Sequence, residues 1–293
     1  MKVIVTFVTL FFIFFATLIH AAQPKDLKDI PFDADLKQGL ESCLEQLNLT
    51  RAADAKLLSI GLADITDPAA VRQAYINPDK MMYAASLPKI AILLGAFDRI
   101  AQQEMPLDPQ TEDALTRMIR NSCNRSATTM LNRVGKEYLA DLLQSPRYKL
   151  YDPARNGGLW VGKEYAKAGV WKRDPLHNLS HGATALQVAR FYFMLETGRL
   201  VTPEYCRMMK TMLGDPAIPH KFVKGLKKIH PDSKIFRKSG TWKSYHSDSA
   251  IIEHDGRRYI AVAMANSAQG GKWLSNLIVS MDDLIFQNAS SLN

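Results

Sequence analysis

The chain has 293 residues, 47% of them hydrophobic and 23% charged, which is enough apolar material for a sizeable core and excludes a disordered chain. Its formal net charge of +8 points to anionic surroundings, yet lysine and arginine are scattered and no nucleic-acid motif accompanies them. The densest cluster, KFVKGLKK beginning at Lys221, reads as a solvated basic face suited to an anionic cell envelope.

Residues 1–22 carry one lysine, an apolar and threonine run from Val3 to Ile19, then small residues, the pattern of a secretory signal cleaved near Ala21 or Ala22. The run is also long enough for a short membrane span, so an uncleaved anchor is the alternative. The expectation is export, to the periplasm or the medium, with membrane contact only through this segment. Cys43 shares a helical face with Leu36, Leu40, Leu44 and Leu47, and Cys206 sits among Tyr205, Met209 and Leu213. Both read as core, and with Cys123 the odd count argues against a disulfide framework.

DADLKQGLESCLEQLNL has helical spacing, and AKLLSIGLADITD with VRQAYIN reads as two short strands. From Ser86 to about Leu213 the pattern is helical, through PKIAILLGAFDRIAQ, PQTEDALTRMIRNS, SATTMLNRVGKEYLADLLQ, GATALQVARFYFMLETG and TPEYCRMMKTML, the last opened by Thr202 and Pro203. An irregular stretch from Tyr148 to Ser180 interrupts it, a length usual for functional or mobile loops. Strands return in SKIFRKSGTW, SDSAIIEHDG and RRYIAVAMANS, with a hairpin turn ending at Gly256, and GGKWLSNLIVSMDDLIFQN closes as an amphipathic helix with Trp273, Leu277, Met281 and Leu284 on one face.

The early and late strands are too few separately for stable sheets and are expected to join. The predicted fold is α/β, one antiparallel sheet flanked by helices plus an inserted all-helical lobe. After the signal, residues 23–293 form one catalytic domain, with an α/β lobe of about 23–84 and 228–293 and a helical lobe of about 85–227. Ser86 falls at the seam, where sites commonly form.

Three short motifs bear on chemistry. YAASLPKIA, Tyr83 to Ala91, places Ser86 and Lys89 as SxxK where strand gives way to helix; alone it is equally a helix cap followed by a solvated lysine. Ser122 and Asn124 form SxN, and Lys238, Ser239, Gly240 and Thr241 end a predicted strand. Singly these read as a cap, a turn, an edge charge and a bulge. His177 and His181 at i, i+4 lack a third ligand, and no metal is expected there.

In the order SxxK, SxN, KSG, the motifs resemble the penicillin-recognising serine hydrolases, specifically class A β-lactamases. MIRNSCNRSATTMLNRVG is similar to the helix through that family's SDN motif, and GATALQVARF to the helix after its omega loop. The resemblance implies Ser86 as nucleophile, Lys89 as its base, and Ser122 as proton carrier to the departing nitrogen. Asn124 would hold the substrate amide and steady Lys89, and Lys238 with Ser239 would bind the substrate carboxylate. The N–H groups of Ser86 and Thr241 would form an oxyanion hole, and Gly240 would let substrate approach the strand. No metal or organic cofactor is implied. The partner implied is a small-molecule β-lactam or peptidoglycan fragment, with no nucleic acid. A DD-peptidase or carboxypeptidase, and a penicillin-binding sensor without turnover, are the alternatives.

The chain departs from the family pattern at four places. Only QQEMPLDPQTED links the helices bearing Ser86 and Ser122, and Cys123 replaces the usual aspartate of SDN. Where an arginine is expected after KSG stands KSYHSDS, with Lys243 as a weak substitute. The omega-loop ExxLN that supplies a deacylating glutamate is absent, and Glu164 is the only glutamate in its place.

Overall fold

The computed structural model describes residues 24–167 and 169–287; the expected signal, 1–22, lies outside them. The first helix, α1 (Ala34–Gln46), is capped by Asp33, whose carboxylate accepts from Leu36 N at 2.8 Å and pairs with Arg72. A short α2 (Thr50–Asp54) leads to β1 (Leu58–Asp64), β2 (Arg72–Ile76) and β3 (Met82–Tyr83). The helical middle opens with α3 (Lys89–Ala101), α4 (Pro109–Arg120), α5 (Asn124–Val134) and α6 (Lys136–Gln144). The segment expected to run on from Ser126 to Gln144 is divided at Gly135, whose φ of 90° ends one helix and begins the next.

Short strands β4 (Tyr151–Asp152), β5 (Gly157–Gly158), β6 (Trp160–Val161) and β7 (His181–Ala183) lie in and just after the irregular stretch. That stretch is built around buried Asp174, which accepts hydrogen bonds from Tyr151 Oη and from the backbone of Leu176, His177 and Leu179. One carboxylate thus takes the place of regular pairing. Helices α7 (Ala185–Glu196), α8 (Pro203–Leu213) and α9 (Phe222–Ile229) follow, then β8 (Lys234–Trp242), β9 (Tyr245–His254), β10 (Arg257–Asn266) and α10 (Gly270–Gln287). No described helix is long and apolar enough to cross a membrane.

Early and late strands do join, in one antiparallel sheet of order β2-β1-β10-β9-β8, with β1 registered on β10 from Leu58 opposite Ala265 to Asp64 opposite Tyr259. The β9–β10 turn is the two-residue Asp255-Gly256, both at positive φ, as a tight hairpin requires. Because the strand period is two, β10 sends Tyr259, Ala261, Ala263 and Ala265 into one core with α1, α9 and α10. Its alternate residues Ile260, Val262 and Met264 enter the other core, with α3 and α7. Two covered faces explain the near-continuous apolar run of this strand.

The basic cluster corrects one expectation. KFVKGLKK is not simply a solvated face: the 3.6-residue period buries Phe222, Val223 and Leu226 and leaves Lys224, Lys227 and Lys228 exposed, while Lys221 is only 3% exposed. Gly225 is where α9 meets α10, since a Cβ there would stand 2.3 Å from Ser275 O and 2.5 Å from Ile278 Cγ2. Gly225→Val should therefore overpack this contact and cost about 1–3 kcal/mol in urea unfolding. Unchanged stability would show that the two helices separate freely.

Candidate active site

The seam between sheet and helices is organised around the turn that comes after β3. Ala85 has φ 51°, Leu87 N donates to Ala84 O, and Lys89 N donates to Ser86 O at 3.3 Å. Ser86 is half-buried in this turn rather than capping α3, whose N-cap is Pro88. Ser122 likewise caps nothing: Cys123 is the cap of α5, its sulfur accepting from Ser126 N at 3.5 Å, while Ser122 itself holds φ 54°. Positive φ in residues other than glycine is costly and tends to gather at sites.

Lys89 begins α3, a helix buried on almost every side, and is fully buried itself. Its ammonium donates to Ser122 O at 2.6 Å, to Asn124 Oδ1 at 2.8 Å and to Ser122 Oγ at 3.3 Å. Lys238, also buried, reaches the same Ser122 Oγ at 3.0 Å and Ser239 O at 2.8 Å. Two lysines from different elements meet on one hydroxyl. Burial pulls Lys89 down to about 7. Lys238 lies well below its ordinary value, first through burial and then through the charges of Lys89 and Arg237. A neutral amine beside hydroxyls can accept a proton near neutral pH.

Strand alternation distributes the KSGT residues. Lys238 and Gly240 face the helices, whereas Arg237, Ser239 and Thr241 face the α9 side. Arg237 makes a buried two-point pair with Asp248, 2.7 Å at each contact, and holds the carbonyls of Ile218 and His220; Asp248 also accepts from Phe222 N. This brings His220 Nε2 to 3.2 Å from Ser239 Oγ, and Lys221 Nζ to 2.6 Å from Gly240 O and 2.8 Å from Thr241 Oγ1. Burial lowers His220 to about 4 and Lys221 to about 8. Lys243, the expected substitute for the missing arginine, is instead exposed in the β8–β9 turn at φ 51°. The cation beside Thr241 is Lys221. Sequence reading passed over it because it lay inside an apparently solvated cluster.

Gly240 has a reason beyond substrate access. A Cβ there would stand 2.2 Å from Ala84 O and 2.7 Å from Ser86 N, so only glycine lets β8 lie against the turn bearing Ser86. Ser247 Oγ, opposite Gly240, donates to Ala84 O at 2.8 Å and secures the contact.

The loop contributes Tyr165, not Glu164, to this centre. The Tyr165 ring lies 4.5 Å from Lys89 Nζ, its hydroxyl donates to Ala85 O at 3.4 Å, and it packs on His181 at 4.4 Å between centroids. Burial raises the phenol well above its ordinary value and lowers His181 to about 4, so at neutral pH both are uncharged. Glu164 is paired elsewhere: its carboxylate meets Lys136 at 2.6 Å, and that hydrogen bond, helped by Asn132, holds it ionised and below its usual range. His177 Nε2 meets Asn156 while His181 Nε2 meets Lys163 O. No adjacency in the sequence marked Tyr165; only its position over Lys89 does.

Lys89 gives a pH dependence of defined sign. Its folded value of about 7 lies below the ordinary 10.5, so between these limits the unfolded chain binds more protons and stability rises with pH. Relative to Lys89→Met, the parent should gain up to about 1.4 kcal/mol per pH unit in that window. Urea unfolding at pH 7, 8, 9 and 10 checks this, and a constant difference would mean that Lys89 is not held near neutrality.

Comparison with known proteins agrees with this architecture. Among curated proteins none matches the chain. In solved structures, a beta-lactamase from Sphaerobacter thermophilus is 16% identical with a TM-score of 0.62, covering 84% of this chain and 95% of its own. PBP-A is 16% identical with a TM-score of 0.64, over 88% of this chain and 99% of its own. A representative class A beta-lactamase from Bacteroides cellulosilyticus is 15% identical with a TM-score of 0.64, over 87% and 99%. At such identities these likenesses show the common α/β fold. The model of the beta-lactamase enzyme family matches residues 106–289, more than half of the sequence and including both the SxN and KSG stretches, and the chain belongs to that family.

Proposed function

We propose that the protein is an exported serine acyl hydrolase of the class A β-lactamase type, which forms an acyl-enzyme on Ser86 with β-lactams or acyl-D-alanine ends and releases it slowly. The observation that carries this reading is the convergence of Lys89 and Lys238 on the Ser122 hydroxyl beside the Ser86 turn. In the proposed reaction neutral Lys89 takes the Ser86 Oγ proton as Oγ bonds to the substrate carbonyl carbon. The N–H groups of Ser86 and Thr241 hold the oxyanion. As the C–N bond breaks, Ser122 gives its proton to the nitrogen and is reprotonated from the lysines. Asn124 holds the substrate amide, and Lys238, Ser239 and Lys221 attract a carboxylate.

Slow release is inferred from the loop. A general base is worth roughly 10²–10⁴-fold. Tyr165 covers Lys89 with a protonated phenol, and Glu164 is engaged by Lys136. The same observation favours a second reading, a peptidase or a penicillin-binding sensor in which β-lactams act as trapping ligands. A PBP-A variant has been captured as an acyl-enzyme with penicillin G on this fold.

Mass spectrometry after mixing with benzylpenicillin should show the intact drug mass on the peptide containing Ser86, persisting for minutes or longer, and none on Ser86→Ala. Rapid drug consumption without an adduct would instead reveal an efficient base in the loop; neither adduct nor consumption would exclude penicillin recognition. The labelling rate should rise with pH through about 7 as Lys89 loses its proton, and Lys89→Ala should slow it by roughly 10²–10⁴-fold. Lys221→Met should slow acylation by substrates bearing a carboxylate more than by esters without one; equal losses would remove Lys221 from recognition. Release of D-alanine from a cell-wall pentapeptide separates peptidase from sensor.

A further inference from the structure

Along β9 from Ser247 at the site, His254 lies seven residues away, roughly 23 Å at the strand rise. There α9, β9 and α10 end together. His230 is the C-cap of α9, His254 closes β9, and Asp282 comes from α10. One potential ligand atom from each lies within 4.8 Å of the others. His254 Nε2 is 2.7 Å from Asp282 Oδ1, and His230 Nε2 is 3.1 Å from Asp282 Oδ2. The imidazoles are stacked with centroids 4.3 Å apart, and Phe286 supports them from below.

We propose that His230, His254 and Asp282 bind one divalent transition-metal ion of the zinc class. The case rests on placement. His254 faces carboxylate oxygens at both ring nitrogens, Asp282 at Nε2 and Asp255 at Nδ1, 2.9 Å away. His230 has Asp282 3.1 Å from its Nε2, while Asp255 Oδ2 stands 3.9 Å from its Nδ1, beyond hydrogen-bond reach. Both Nε2 atoms thus face one carboxylate, and a single divalent ion bound there would release to solvent whatever protons they carry.

The surroundings suit such an ion. Asp255 would hold His254 Nδ1–H, the arrangement that orients metal-bound imidazoles, and Tyr259 Oη donates to Asp282 Oδ1 at 2.5 Å, fixing the carboxylate. Two imidazoles and one carboxylate select zinc-like ions over calcium or magnesium. Zinc–ligand distances of about 2.0–2.1 Å need ligand atoms roughly 3.3 Å apart; His254 Nε2 is 2.7 Å from Asp282 Oδ1, His230 Nε2 is 3.1 Å from Asp282 Oδ2 and the whole set lies within 4.8 Å, so the ligands must readjust around the ion on binding. His230 and His254 are among the residues that wall a cleft of about 500 Å³ beside the cluster.

The test uses tag-free protein lacking the signal, titrated with zinc chloride by calorimetry and with cobalt(II) by visible absorption. One equivalent should bind, with cobalt d–d bands of low coordination number, and zinc should raise the melting temperature. Asp255→Asn should weaken binding about 10–100-fold, and His230→Gln and His254→Gln further still. Circular dichroism confirms that each variant is folded, and His177→Gln, outside the cluster, should bind as the parent does. Absence of a zinc heat, unchanged affinity in folded His230→Gln and His254→Gln, or binding of calcium but not zinc would each overturn the assignment.

Discussion

The buried Arg237–Asp248 pair holds the site together. Removing two charges from water is expensive, and breaking such a pair by deleting one partner typically costs about 3–5 kcal/mol. Here the expense is offset by complete bonding: the guanidinium meets both carboxylate oxygens and two carbonyls, and the carboxylate also receives Phe222 N. The pair therefore sets the start of α9 relative to β8. Lys221 and His220 are delivered to Gly240, Thr241 and Ser239 as a consequence. The guanidinium charge also helps depress its neighbour Lys238.

Three buried lysines then share a small volume. Lys89, Lys238 and Lys221 are each held below the ordinary lysine range, with burial the leading cause. A lysine that keeps its hydrogen-bond partners but is deprived of solvent is poised between proton donor and proton acceptor. The Ser122 hydroxyl, between two such groups, is the point through which a proton can pass from one side of the centre to the other. An anion entering this volume would favour the charged forms.

The loop preceding β7 sets the surroundings of Lys89. An aromatic ring lies over Lys89, stacked on a neutral histidine, while the neighbouring carboxylate is tied to a lysine on α6. The loop is nevertheless well built. Asp174, buried and bonded to one hydroxyl and three backbone N–H groups, gives an irregular segment the satisfied polar interior it needs.

Local patterning in the sequence was sufficient for the main helices and strands and for the joined sheet, though not for α9 or the short strands β3–β7, since strand alternation, helical spacing and the Asp255-Gly256 turn are properties of neighbours along the chain. Lys89 and Asn124 open α3 and α5 and Lys238 lies on β8, as the spacings predict, while Ser86 and Ser122 stand in the turns before those helices. Local patterning misjudged features that depend on distant partners. Lys221 looked solvated until α9 turned its apolar face inward and Arg237 fixed its start, and the Lys136 partner of Glu164 could not be read from the loop. Tyr165 carried no signal, since a tyrosine acquires meaning over Lys89 through packing across some eighty positions. Gly240 was read as an opening for substrate, and its contact with Ala84 and Ser86 adds a demand of the fold itself. The sequence by itself determined which residue types stand on which faces; the tertiary structure decided which of them lose water and meet, because burial and pairing between distant segments set both charge state and reach.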